Sequence, residues 1–173
     1  MTTVTKPAAR LKTPTDLGAN VFKDLAGALN AILADSFALY LKTKNFHWHV
    51  SGPHFRDYHL MFDEQAAEIL ASTDEIAERV RKIGGNTLRS IGDISRQQTI
   101  EDNDKAYVSP DDMLKELHAD TMATIKAMRE AHKKCDDAED IATASLLENF
   151  IDQAEKRAWF LFETARKGAP SGH

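Results

Sequence analysis

The sequence has little glycine, proline or cysteine. Its 173 residues include eight glycines, five prolines and one cysteine, Cys135. A single cysteine excludes an intrachain disulfide framework, and the scarcity of glycine and proline favours helix over sheet. The first residues, MTTVTKPAARLK, contain no apolar run of signal-peptide length, and no segment approaches the length of a membrane span. The sequence therefore predicts a cytoplasmic helical protein without membrane contact.

Excess positive charge is also lacking. There are 22 Lys and Arg residues against 27 Asp and Glu residues, which gives a formal net charge of -5. This balance does not attract nucleic acid to the body of the protein. Near the N-terminus, however, Lys6, Arg10 and Lys12 lie in a stretch without hydrophobic periodicity. We predict a flexible tail over residues 1–16, and any contact with DNA is assigned to such basic tails.

Apolar residues recur at three- and four-residue steps over four long stretches of the chain, which predicts four helices. The predicted helices span residues 17–50, 53–83, 110–134 and 138–167. The polar segment 86–108 joins the second and third, with one short helix over about 91–97. This pattern predicts an all-α four-helix bundle over 17–167 with a long crossover, followed by a flexible tail over 168–173.

Local signals mark the predicted helix ends. Ser51 is predicted to cap the second helix, and Gly84-Gly85-Asn86 to close it. Ser109-Pro110-Asp111-Asp112 predicts the start of the third long helix, and Cys135-Asp136-Asp137 predicts a tight break after it.

The second predicted helix carries two stripes of residues. One stripe has apolar side chains seven residues apart, at Phe62, Ile69, Ile76 and Ile83, and is predicted to face the core. The other has potential metal ligands at both ends and small residues at its centre, where another helix can approach closely. Its members are His59, Asp63, Ala66, Ala67, Leu70, Asp74, Ala77 and Glu78.

The ligand pairs on the second stripe cannot share one ion within a chain. Asp63 and Asp74 are roughly 16 Å apart along a straight helix, whereas metal ligands lie about 2 Å from the ion. If two copies pack antiparallel about a twofold axis near residues 68 and 69, Asp63 faces Asp74 of the other copy, and His59 faces Glu78. This mixture of imidazole and carboxylate suits ferrous iron better than a structural zinc site.

Two neighbouring residues extend this candidate site. His47, near the end of the first helix, can add an imidazole from the same chain as His59. Trp48 beside it can shield the site or take up radical damage. Taken singly, each pair is also compatible with an ordinary solvated helix face, and Trp48 with a packing role. His49, His54 and Cys135 are given no role.

The stretch TKNFHWHVSGPHFRDYHLMFDEQAAEILASTDEIAERVRKIGG resembles the Dps family, the mini-ferritins named as DNA-binding proteins from starved cells. The resemblance rests on a His, a His twelve later, an Asp four later, an Asp eleven later and a Glu four later. The WxxxGxxF element formed by Trp48, Gly52 and Phe55 also matches, and KRAWFLFE extends the resemblance toward residue 165.

The resemblance implies a ferritin-like bundle that assembles into a hollow dodecamer of 23 symmetry. It implies a ferroxidase that oxidises Fe(II) to Fe(III), commonly with hydrogen peroxide, stores ferric mineral and thereby protects DNA. His47, His59 and Asp63 would come from one subunit, and Asp74 and Glu78 from its twofold partner. The chain contains no Glu-x-x-His, the motif of an intrachain di-iron centre.

Several alternatives stay open on sequence alone. The chain could instead be an architectural protein that compacts DNA, associated with the nucleoid, or a non-catalytic interaction bundle. The preference for peroxide or dioxygen is also open. Acidic residues that could line an iron pore on a threefold axis, or simply favour a helix N-terminus, are Asp136, Asp137, Glu139 and Asp140.

Overall fold

The computed structural model describes residues 11 and 13–166, which form an all-α bundle. The helices are α1 (Ala19–His49), α2 (Phe55–Lys82), α3 (Ile91–Gln97), α4 (Pro110–Asp137) and α5 (Ile141–Ala165). The chief packing pairs are α1 with α2 and α4 with α5, and α1 also packs on α4. The predicted fold class is confirmed, including the short helix in the crossover. Most of the predicted tails, with Lys6, Arg10 and Lys12, lies outside the described residues.

The crossover between α2 and α4 is bonded to α1 along most of its length. In the first half of α1, the Asn30 side chain donates to the carbonyl oxygen of Asn86 at 2.8 Å. Near the end of α1, the Asn45 side chain donates to the carbonyl oxygen of Asn103 at 3.1 Å. Because the segment follows α1 toward its C-terminal end, α4 begins beside that end and runs antiparallel to α1.

A buried carboxylate holds the middle of the crossover. Asp35 on α1 accepts hydrogen bonds from the backbone N–H of Thr99 at 2.5 Å, from the Thr99 hydroxyl at 2.7 Å and from the N–H of Ile100 at 3.1 Å. The bond to Ile100 satisfies a backbone donor of a buried residue that would otherwise lack a partner.

The helix ends differ from the prediction at two places. α2 begins at Phe55, and Ser51 does not cap it, because Gly52 adopts a φ of +105° and its carbonyl oxygen accepts the N–H of Phe55. α4 continues through the predicted break at Cys135-Asp136-Asp137. Cys135 is a fully buried residue in the last turn, so the core-facing side of α4 continues past the predicted end. The turn lies at residues 138–140.

The apolar stripe predicted to face the core does so. Its four members on α2 and at the α2 end are all at least 96% buried, and Phe62 is completely enclosed. Burying a phenylalanine side chain of this kind stabilises the fold by about 2 to 3 kcal/mol. Ala66 was predicted on the other stripe as a small residue open to a neighbouring helix, but it is fully buried and therefore faces the core.

The statement that no segment approaches membrane-span length also needs correction. Val21–His49 is long and apolar enough by length and composition, with a mean hydropathy of 1.2. Half of that window is buried inside the bundle, so the apolar surface of α1 is accounted for by packing. The same helix buries Asp35 and Lys42 among polar partners.

The described end of the N-terminal segment lies against the end of α2. The Arg81 guanidinium donates to the carbonyl oxygen of Leu11. Gly84 adopts a φ of +94°, and a side chain there would place its Cβ 3.1 Å from the carbonyl oxygen of Thr13. Glycine is therefore required at this predicted stop of α2, both by backbone conformation and by close approach.

Candidate metal centre

Antiparallel packing of α1 and α2 brings His47 and His59 together. Their rings stack with centroids 3.8 Å apart and an interplanar angle of 22°. The Nδ1–H of His47 donates to the backbone oxygen of His59 at 2.7 Å, and the Nδ1–H of His59 donates to the backbone oxygen of His47 at 2.8 Å. The two residues therefore fix one another's ring orientation.

These reciprocal bonds determine which ring nitrogen is free. A carbonyl oxygen can only accept, so each Nδ1 must carry the proton. In the neutral rings, each Nε2 then presents a lone pair, which is the form in which histidine binds metals. Backbone carbonyls commonly orient metal-binding imidazoles in this way.

Asp63 places a carboxylate beside the two imidazoles. Its Oδ1 lies 4.0 Å from Nε2 of His47, and its side chain is about half exposed. Since a bond from a divalent ion to oxygen or nitrogen is about 2 Å long, one ion can contact both atoms. The predicted same-chain residues His47, His59 and Asp63 therefore lie on one face and supply nitrogen and oxygen donors of the kind that ferrous iron takes, but the three do not converge closely enough to hold an ion by themselves.

Lys44 is the nearest positive charge to this group, and the sequence analysis did not identify it. Its Nζ lies 2.6 Å from Oδ1 of Asp63. This hydrogen bond from Lys44 is the main cause that lowers the pKa of the Asp63 carboxyl below its usual range; burial opposes it, and the lysine and histidine charges reinforce it. Asp63 is therefore held in its ionised form.

Asp74 and Glu78 are exposed on α2, several turns from the histidines. Glu78 pairs with Lys82 one turn later, with 2.9 Å between Oε2 and Nζ. Within residues 11 and 13–166, no three His, Cys, Asp or Glu side chains of one chain converge closely enough to hold a metal ion. The five predicted ligands thus form two separate groups on the same subunit.

The other residues considered in the sequence lie near the site or elsewhere. Trp48 is 58% exposed, with its ring centroid 5.9 Å from Nζ of Lys44. His49 is exposed and bonded through Nδ1 to the Asn45 carbonyl oxygen, and His54 precedes the first turn of α2. Cys135 is distant in sequence and buried, and burial raises the pKa of its thiol to about 11.

The acidic residues of the α4–α5 turn fall into two kinds. Asp136, Asp137 and Glu139 are exposed, and Asp136 lies 3.2 Å from Nδ1 of His132. Asp140 is buried and serves as the N-cap of α5. Because Asp140 is used within the fold, it is a structural residue rather than a pore-lining candidate.

Asp140 also connects α5 to α2. The Arg79 guanidinium donates to the Asp140 carboxylate at 2.5 Å and to the Thr143 hydroxyl at 2.6 Å, and that hydroxyl donates in turn to the same carboxylate. The guanidinium, hydroxyl and carboxylate groups therefore all have hydrogen-bond partners within this network, as buried polar groups require.

Comparison with known proteins defines the class first. A ferritin-like domain profile matches residues 26–169, which is most of the chain. Dps from Thermosynechococcus elongatus has a structure with a TM-score of 0.83 and 30% identity, covering 86% of this chain and 94% of its own. The bundle and this profile are those of a ferritin-like protein.

Sequence relatives narrow the class to one family. DNA protection during starvation protein 1 of Deinococcus radiodurans is 34% identical, over 81% of this chain and 68% of its own length. The corresponding protein of Brevibacillus brevis is 31% identical, over 79% of this chain and 91% of its own. The chain belongs to the Dps family.

Proposed function

We propose that this protein is a ferroxidase that binds Fe(II) between two of its subunits, oxidises it and stores the ferric product. The observation that carries the proposal is the face formed by His47, His59 and Asp63, where two imidazole lone pairs adjoin an ionised carboxylate. Such a face supplies half of a coordination sphere suited to a ferrous ion.

The second half would come from Asp74 and Glu78 of a twofold-related copy. In the antiparallel arrangement, small Ala67 of one subunit meets Leu70 of the other at the centre of the contact. Both residues are exposed, as are Leu41 and Trp48 on the adjacent face of α1, each to 58%. Exposed apolar side chains at this density favour coverage by another protein surface.

The chemistry requires two electrons for each peroxide. Two ferrous ions each give up one electron to hydrogen peroxide, which takes up two protons and leaves as two water molecules. The carboxylates of Asp63, Asp74 and Glu78 favour the ferric state, because anionic oxygen stabilises the higher charge. The consumption of Fe(II) and peroxide together removes both reactants that form hydroxyl radicals, which would protect DNA.

A direct test is the oxidation of anaerobically loaded Fe(II) after addition of peroxide, followed by ferric absorbance. In the His59→Ala, Asp63→Ala double variant we expect a loss of about 100-fold or more in initial rate, because two donors are removed from one ion. His49→Ala is the matched control, since His49 is exposed nearby and belongs to neither ligand group. Unchanged kinetics in the double variant would rule out the assigned site.

Subunit mixing tests the sharing between chains. His59→Ala and Glu78→Ala subunits, each inactive alone, are dissociated, mixed in equal amounts and reassembled. Half of the dimers are then mixed and contain one intact site each, so activity should return to about a quarter of the wild-type value. Glu75→Ala replaces Glu78→Ala in the control mixture. Activity no higher than that of the two parents would exclude a shared site.

The assembly that would store the mineral is a closed dodecamer of 23 symmetry. Exposed aromatic side chains near the end of α5, Trp159, Phe160 and Phe162, support further subunit contacts beyond the twofold face. Exposed Asp136, Asp137 and Glu139 are the candidates for an acidic pore, because repetition around a threefold axis would concentrate cation-attracting potential. Sedimentation of the native protein measures the assembly.

Direct DNA binding and a cytoplasmic, nucleoid-associated location stay predictions. The relatives are named for DNA protection, whereas the basic residues Lys6, Arg10 and Lys12 lie outside the described residues. Multivalent contact through twelve basic tails would be independent of sequence and strongly weakened by salt. Gel shifts with full-length and tail-deleted protein decide between this and protection by iron chemistry alone; the absence of a shift at low salt would exclude DNA binding.

A further inference from the structure

Lys44 occupies the oxygen of Asp63 that faces the imidazoles. The Oδ1 atom that lies 2.6 Å from Nζ of Lys44 is the same atom that lies 4.0 Å from Nε2 of His47. The ammonium group also lies 5.9 Å from the centroid of the Trp48 ring, within cation–π range. The ammonium group of Lys44 therefore lies where the proposed site would bind its metal ion.

The position of Lys44 is more restricted than that of an ordinary surface lysine. Its side chain is 19% exposed, whereas the side chain of Lys82, paired with Glu78, is 60% exposed. Lys82 and Glu78 are four residues apart on one helix, an arrangement common on solvated faces. Lys44 instead reaches from α1 to α2 and is bounded by Asp63 on one side and Trp48 on the other.

A divalent ion and this ammonium group would lie side by side on the same oxygen. An ion about 2 Å from Oδ1 would stand close to an ammonium nitrogen that is 2.6 Å from the same atom. At separations of this order, the like charges repel where solvent is partly excluded. The ion and the ammonium group therefore compete for Oδ1.

We propose that Lys44 is a resident counter-cation that is exchanged for Fe(II) and thereby sets the metal affinity of the site. The inference rests on the proposed function. In the iron-free protein Lys44 neutralises Asp63, next to the two further carboxylates that a partner would supply. A divalent ion brings two positive charges into the site, and the ammonium group takes one away as it leaves. The net charge of the site therefore rises by one unit instead of two. The exchange lowers the affinity for divalent ions.

The test uses the assembled protein and Co²⁺, an ion that does not undergo the oxidation step. Isothermal titration measures its dissociation constant in wild type and in the Lys44→Met and Lys44→Gln variants, which remove the ammonium group. We expect about fivefold tighter binding in both, because a partly exposed ion pair of this kind is worth about 1 kcal/mol. Lys44→Arg keeps the charge and should return the affinity to the wild-type value.

Two controls separate the possible failures. Lys115→Met removes an exposed lysine that pairs with Asp112, away from both ligand groups, and should change the affinity less than twofold. Asp63→Asn should abolish the titrated site. Unchanged affinity in both charge-removing variants, with the Asp63-dependent site present, would overturn the role of Lys44 alone. Absence of any Asp63-dependent Co²⁺ binding in wild type would overturn the proposed function together with this inference.

Discussion

Lys42 and Lys44 are two residues apart on α1, and their side chains lie on opposite sides of the helix in different environments. Two residues correspond to about 200° around a helix, so Lys42 faces α4 and Lys44 faces α2. Lys42 pairs with Glu116 at 3.1 Å and with Asp120 at 2.7 Å, and its side chain is 4% exposed. Among the described residues, Lys44 forms an ion pair with Asp63 alone, and Asp63 is half exposed on the surface assigned to metal binding.

The carboxyl groups beside the two lysines have pKa shifts of opposite sign. Burial is the largest cause at Asp120 and raises the pKa of its carboxyl, although Lys42 opposes the shift. At Asp63 the hydrogen bond from Lys44 is the largest cause and lowers the pKa. At Asp120, where desolvation dominates, the ion pair with lysine stabilises the fold. At Asp63, where solvent is close, a similar ion pair leaves the carboxylate able to exchange its lysine for another cation.

The strongest way to break this comparison is to remove each ammonium group separately. Lys42→Met leaves two carboxylates beside a buried apolar side chain and should lower the unfolding free energy by roughly 3 kcal/mol. Lys44→Met should lower it much less, since its partner is partly solvated. Denaturant unfolding at fixed protein concentration measures both. Equal losses would show that the two pairs are alike.

A change of shape at constant charge gives a smaller difference. Lys42→Arg places a larger, planar group in an enclosed position and should cost about 1 to 2 kcal/mol of stability through overpacking. Lys44→Arg, beside an open surface, should be nearly neutral. Thermal unfolding of the two arginine variants against wild type measures the difference, and a neutral Lys42→Arg would mean that the enclosed site has spare room.

The smallest predicted effect is on the pH dependence of stability without metal. The lowered pKa of Asp63 stabilises the fold above the ordinary aspartate range, and this contribution is lost as pH falls through its folded value. The raised pKa of the Asp120 carboxyl has the opposite effect on stability. Its stabilising contribution is present at low pH and is lost as pH rises through its folded value. Differences between wild type and Asp63→Asn or Asp120→Asn should slope oppositely with pH; parallel slopes would contradict the assignment.

Helical periodicity made much of the fold predictable. It placed Phe62 and Ile76 in the core, and Ser109 accepts the capping hydrogen bond expected at the start of α4. The end of α4 could not be found this way. Consecutive aspartates resemble a turn in sequence, whereas burial of Cys135 depends on packing against other helices.

The face that carries His59 and Asp63 was predictable from the sequence, but the lysine beside it was not. His59 and Asp63 are four residues apart on α2, so the 3.6-residue period of a helix places both side chains on the same face. Lys44 belongs to another helix, and the register between helices does not follow from either period. One signal was available: if His47 adjoins His59 in an antiparallel pair, Lys44 one turn earlier must lie beside Asp63 one turn later.

Arg79 follows Glu78 directly and is fastened to Asp140 at the α4–α5 turn. The height of Glu78 along the bundle is therefore set partly by a residue on the opposite pair of helices. Substitution of Asp140 would remove the hydrogen bonds that hold Arg79 and let the last turns of α2 shift or fray, although Asp140 is remote in sequence from the proposed iron ligands. The effect would then reach Glu78, which belongs to the half-site that we propose this subunit contributes to its neighbour.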